Sequence, residues 1–100
     1  MGCAVIFSAQ SNRDLGQVVA FLAAKNPAAA ERLGHALVDH ALTLGPLPHV
    51  GAPVRGRPDV RRIVHKPWFV IYYRVDVARS VVEIVRFWDA RQNPDDLRLS

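Results

Sequence analysis

Apolar residues change their spacing three times along this chain, and each change predicts a different element. Ala4 to Phe7 is a short unbroken apolar run, the pattern of a buried strand. From Leu15 the spacing becomes helical, and Leu15, Val18, Val19 and Leu22 line one stripe of a first helix. Ser8 or Ser11 is placed to cap that helix, and Ser11 with Asp14 three residues on has the capping-box spacing. Asn26-Pro27 stops it and opens the next, with Asn26 as cap and Pro27 in the first turn. Ala30, Leu33, Leu37, Ala41 and Leu44 then repeat at three and four, so a second helix is predicted to about Leu44. Gly34 falls near this stripe and would allow close contact between helices. Gly45-Pro46 ends it. Two helices with almost no linker predict an antiparallel hairpin.

Beyond the helices, "GPLPHVGAPVRGRPD" (45–59) holds four Pro and three Gly. It reads as a stiff crossing from the helical layer to a sheet, with Arg55 and Arg57 available for contacts. Three strand signals follow: Val60 to His65, Trp68 to Val75 and Ser80 to Trp88. Short connections predict an antiparallel meander. "WFVIYY" is apolar on both faces, so it should be a central strand covered on both sides. By strict alternation, Val82, Ile84, Arg86 and Trp88 share one face of the last strand, and Val81, Glu83, Val85 and Phe87 share the other. The expected fold class is α+β: an N-terminal strand, an antiparallel two-helix hairpin and a three-stranded antiparallel meander. Its 100 residues suit a single domain, 1–100.

Charge sharpens this picture because it is unevenly placed. Residues 1–50 are balanced, whereas residues 51–91 carry nine cations against four acids, eight of the nine being Arg. Arg presents a fork suited to carboxylates and phosphates, so RNA, DNA or an acidic protein is the partner such a surface fits. The single cysteine, Cys3, excludes an internal disulfide. "MGCAVIF" lacks a basic n-region and a cleavage site, and no apolar run reaches membrane-spanning length. A cytoplasmic chain without membrane contact is expected.

Most catalytic chemistries fail on residue types and spacing. His35 and His40 are five apart, on different helical faces, and no carboxylates complete a zinc set, so no metal and no cofactor are expected. Gly-rich phosphate loops and nucleophile elbows are missing from the sequence. What remains is a set of basic strand residues: Arg61, Arg62 and His65, then Arg74, Arg86 and Arg91. A metal-free ribonuclease needs a base for the 2′-hydroxyl, cations at the phosphate and an acid for the leaving oxygen. His65 has the right titration range for the base or acid, whereas an unperturbed Asp89 is a poor acid at neutral pH.

In order along the chain, "DLGQVVAFLAAKNPAAAERL", "RRIVHKPWFVIYYRV" and "VVEIVRFWDARQNP" resemble the ParE/RelE superfamily of toxins from bacterial type II toxin–antitoxin modules. "NPAAAERL", "VIYYRV" and "RQNP" resemble the ParE side more closely. The resemblance covers roughly residues 4 to 94. It implies a growth-arresting toxin neutralised by an antitoxin that wraps the helices and sheet. ParE-type toxins are associated with DNA gyrase, and RelE-type toxins cleave mRNA on the ribosome. The nuclease set carries over poorly. A Lys-Ile-Lys segment of RelE matches Arg62-Ile63-Val64, so one cation is lost. An Arg early on the third strand falls near Phe69. The Arg after the last strand is kept as Arg91. Asp89 stands where many nucleases have His, and the C-terminal Tyr position falls near Leu97.

The resemblance therefore implies a ParE-like toxin that binds a protein target, with gyrase the candidate. Arg61, Arg62, Arg74, Arg86, Trp88 and Arg91 are the expected target-binding residues. Leu15, Val19, Leu22, Leu33 and Leu37 are expected to meet the antitoxin. The alternative is a ribosome-dependent mRNA endoribonuclease using Arg62, Arg91 and His65.

Overall fold

The computed structural model describes residues 2–99. Strand β1 (Ala4–Phe7) leads into α1 (Ala9–Ala23) and α2 (Pro27–Leu42), followed by β2 (Ala52–Val54), β3 (Arg57–His65), β4 (Phe69–Asp76) and β5 (Val81–Asp89). A short 3-10 turn, Pro94–Asp96, precedes the tail. Both helix starts follow from their caps. Ser8 accepts a hydrogen bond from the Ser11 amide, so Ser8 is the α1 cap, and the Ser11 hydroxyl bonds back to the Ser8 carbonyl. Asn26 caps α2 through the Ala29 amide, with Pro27 in the first turn. An added Cβ on Gly34 would sit 3.0 Å from a Val19 methyl, which is the close helix contact that its position near the stripe suggested.

The sheet differs from the expected meander. It has five strands in the order β1-β5-β4-β3-β2 and is mixed, because β1 runs parallel to β5. The antiparallel part, β3-β4-β5, matches the expected meander. Strand β2 lies in the segment read as a crossing and pairs with β3 at Ala52 opposite Arg62 and Pro53 opposite Arg61. Pro53 cannot extend a ladder outward, so it suits the edge that β2 occupies.

Strand β4 lies at the centre, with Phe69 through Tyr73 all buried. One face meets the hairpin: Leu37, Ala41 and Leu44 pack with Ile71, Tyr73, Ile84 and Phe87. The other face holds Val60, Val70, Tyr72, Val85 and Trp88 under Leu97 and Leu99 of the tail. Strict alternation along β5 therefore fails. Tyr72 pairs with Arg86 and Tyr73 with Ile84, so Val85 is an inserted, bulged residue. One extra residue moves everything beyond it to the opposite face. Ile84 and Phe87 consequently share the helical side, while Val85 and Trp88 share the other.

The fully buried Tyr73 ties the 45–59 segment to the sheet: its hydroxyl accepts a hydrogen bond of 2.9 Å from the Gly51 amide. Burial raises its phenol pKa, so it stays neutral. Tyr73→Phe orphans that buried amide and is expected to cost about 1–3 kcal/mol. Gly51→Ala should cost more, because its Cβ would lie 2.6 Å from the Arg62 carbonyl and 2.6 Å from the Tyr73 hydroxyl. Urea unfolding ranks the two; wild-type stability in Gly51→Ala would show that this segment can move aside.

Candidate functional site

A groove of about 930 Å³ lies between α1 and the exit of β5. Val18, Phe21 and Leu22 form its α1 wall, because they follow one another at helical spacing on the side facing the sheet. Trp68 and Phe87 form the opposite wall. Trp68 belongs to the turn before β4, and its carbonyl accepts from the Ala90 amide at 2.8 Å, which fixes the turn against the β5 exit. The two aromatic rings are exposed: Phe21 by 66% and Trp68 by 41%. Each carries a cation. The Lys25 ammonium lies 4.5 Å from the Phe21 ring centre, and the Arg91 guanidinium lies 4.1 Å from that of Trp68. The groove is thus apolar inside, with Lys25 and the Asp89-paired Arg91 at its rim.

Asp14 and Arg86 close one end of this groove. Arg86 donates to both Asp14 oxygens, at 2.7 and 2.9 Å, and the Phe87 amide donates to Asp14 at 3.1 Å. Strand β1 covers β5 only as far as Ile84, so the β5 edge beyond it needs other partners. Side chains of the α1 segment supply them, Ser8 to the Val85 carbonyl and Asp14 to the Phe87 amide. Asp14 therefore seals a sheet edge and neutralises Arg86; it is no capping-box residue.

The expected target-binding residues separate into two groups. Arg61 donates to the His49 and Gly51 carbonyls. Arg74 pairs with Asp59 and Glu83 and donates to the Leu99 carbonyl. Arg86 is taken up by Asp14 and the Arg98 carbonyl, and Trp88 is buried beneath the tail. These four hold the fold together. Arg62 is exposed, with no hydrogen bond or ion pair among the described residues, and Arg91 is exposed at the groove rim.

The nuclease residues stand apart from one another. Arg62 lies opposite Tyr72, on the tail-covered side, whereas Arg91 lines the groove on the helical side. His65 pairs in register with Phe69, which pairs with Asp89. Two strand spacings put the His65 and Asp89 backbones about 10 Å apart, with Phe69 between them. The Nδ1 atom of His65 lies 2.8 Å from that of His40 on α2. Burial, and then the neighbouring His40, lower its pKa. Asp89 lies 2.7 Å from Arg91, whose hydrogen bonds hold this carboxyl below the ordinary range and so keep it ionised.

Among the residues expected to meet the antitoxin, Leu37 is fully buried, and Leu15 and Leu33 are half-buried against the core. Leu22 and Leu33 also line the large groove, whereas Leu15 and Val19 line a shallower depression between the helices. Phe21, Lys25 and Trp68 were not expected at a site. Phe21 lies beside the buried stripe of α1, so an exposed aromatic was the signal for it in the sequence. No cluster of three or more His, Cys, Asp or Glu suited to a metal occurs among the described residues, and no helix among them is long and apolar enough to cross a membrane.

A helical hairpin against a mixed five-stranded sheet is a fold this chain shares with solved structures. The sequence matches the family model of the ParE toxin of type II toxin–antitoxin systems, parDE, over residues 5–94. The chain belongs to that ParE toxin family. No curated protein matches the sequence. The fold is similar to a chromosomal ParDE toxin–antitoxin system from P. aeruginosa, at TM-score 0.77 and 19% identity over 87% of this chain and 95% of that one. It is also similar to the RelBE2 toxin–antitoxin complex of Mycobacterium tuberculosis, at TM-score 0.68 and 24% identity over 89% and 99% of the two chains. A mutant of the E. coli toxin RelE in the free state gives TM-score 0.63 and 17% identity over 90% and 85%.

Proposed function

We propose that this ParE-family chain arrests growth by binding a protein target, with DNA gyrase the candidate, and is silenced by a cognate antitoxin. The observation that carries the binding reading is the dispersal of the nuclease residues. Arg62, His65 and Arg91 do not converge on one phosphate-sized site, and His65 is turned toward α2. General acid–base catalysis needs its donors within hydrogen-bond reach of one substrate. Asp89, ionised beside Arg91, is a poor proton donor at neutral pH. Arg62 and Arg91 are the surface cations offered to the target. The antitoxin takes the groove, where an amphipathic segment would bury apolar side chains against Phe21, Leu22 and Trp68 and set carboxylates near Lys25 and Arg91.

Inducing the protein in bacteria without its antitoxin tests the reading. Growth should stop, with lost supercoiling and DNA damage and with mRNA ends unchanged. His65→Gln should leave toxicity within about twofold of wild type, since His65 is given no chemical role and does not hold a target-facing cation. New mRNA cuts inside translated codons would replace the binding reading with the endoribonuclease one. Unaffected growth at good expression would remove toxicity altogether.

A further inference from the structure

One pair of titratable side chains lies outside the groove and has no part in the proposed function. His40 is in the last turn of α2 and His65 ends β3, and both are partly exposed. Their Nδ1 atoms are 2.8 Å apart and their rings are inclined at 50°. In the neutral pair, one Nδ1–H donates to the other Nδ1. The same spacing has a second use. Two metal–nitrogen bonds of about 2.0–2.1 Å at a right angle place the nitrogens about 2.9 Å apart, whereas a tetrahedral pair places them about 3.3 Å apart. The observed separation is close to the right-angle value, whereas tetrahedral ligation would need the two nitrogens to part by about 0.5 Å.

We propose that His40 and His65 form a two-imidazole chelate for a divalent late first-row ion of tetragonal or octahedral preference, Ni²⁺ or Cu²⁺. Each ligand sits on regular structure, so the ion meets a preset pair and clamps the end of α2 to the end of β3. Binding requires one ring to move its proton from Nδ1 to Nε2, with no net proton loss from the neutral pair. No third protein ligand completes the site among the described residues, so water holds the other positions and exchanges readily. His35 and His49 have no place in this chelate.

Ni²⁺ alone is the probe, because the Cys3 thiol can reduce Cu²⁺. Untagged full-length protein is titrated calorimetrically with NiCl₂, and its melting temperature is followed. One equivalent should bind saturably and raise Tm by at least about 4 °C at saturation. His40→Gln and His65→Gln should each weaken binding at least tenfold and abolish the Tm rise; His35→Gln and His49→Gln should change neither. Circular dichroism reports folding, and if one ligand variant fails to fold the other answers the same question. Should both fail, line broadening of the His40 and His65 ring resonances by substoichiometric Ni²⁺ in the wild-type protein is read instead. Absence of one-equivalent binding, undiminished binding in a folded His40 or His65 variant, or failure of those resonances to broaden would overturn the proposal.

Discussion

Asp14→Ala is expected to lose about 3–5 kcal/mol of folding stability, the cost of leaving one member of a buried ion pair without its partner. The side chains of Arg86 and Asp14 are only 12% and 5% exposed, so water cannot replace the lost contacts. Asp14 does three things at once. It takes both hydrogen bonds of the Arg86 fork, accepts the Phe87 amide on the uncovered β5 edge, and receives the Gln10 side-chain amide. Alanine removes all of them, leaving the guanidinium with only the Arg98 carbonyl and the strand amide unsatisfied. Against a typical domain stability of about 5–15 kcal/mol, that loss brings the protein close to unfolding. Asp14→Asn keeps the shape and one acceptor and should lose less. Removing both charges, Asp14→Leu with Arg86→Met, should recover much of the loss, because no buried charge is left alone. Urea unfolding followed by circular dichroism measures all four proteins. A loss under about 1 kcal/mol in Asp14→Ala would show a pair screened like a surface one.

Trp68→Ala and Phe21→Ala are each expected to weaken antitoxin binding by about 2 kcal/mol or more, roughly 30-fold, while the toxin stays folded. Their exposure makes the distinction possible, since neither ring is part of either core cluster. Covering an aromatic ring removes a large apolar area from water, and each ring here also presents a cation to an acidic partner. Leu37→Ala should weaken complex formation by a different route. Leu37 is fully buried, and truncating it costs about 2–5 kcal/mol of folding stability. Binding is measured calorimetrically with the antitoxin that restores growth on co-expression, and each variant's melting curve is recorded alongside. Wild-type affinity in both aromatic variants would remove the groove from the interface. Lost affinity with an unchanged melting curve places the rings in it.

The two kinds of apolar residue on the hairpin explain why the groove was only partly legible. Periodicity identifies the stripes that face inward, with Leu22 on the first helix and Leu33 and Leu37 on the second. It does not say which members of a stripe are covered by the chain's own sheet. That depends on where the hairpin comes to rest, and it leaves Leu22 lining a groove while Leu37 is sealed. The basic strand residues gain partners that the sequence did not show. Arg61, Arg74 and Arg86 were read as surface cations, yet each is spent on carbonyls or carboxylates brought to it by folding.

By itself, the sequence determined what depends on near neighbours. Its periodicities and its Ser8-or-Ser11, Asn26 and Gly45 punctuation defined the hairpin, and the doubly apolar "WFVIYY" marked the central strand. Its ordered segments pointed to the ParE side of the toxin superfamily. Tertiary structure decided what depends on distant partners. The β1–β5 pair and the Asp14–Arg86 bond join the two ends of the chain, and His40 meets His65 only because α2 lies over the sheet. The β5 bulge belongs with these, since an inserted residue has no sequence mark except the register of its neighbour. The physical reason is common to all of them: spacing along a chain encodes local geometry, whereas pairing across space is chosen by the packing of the whole.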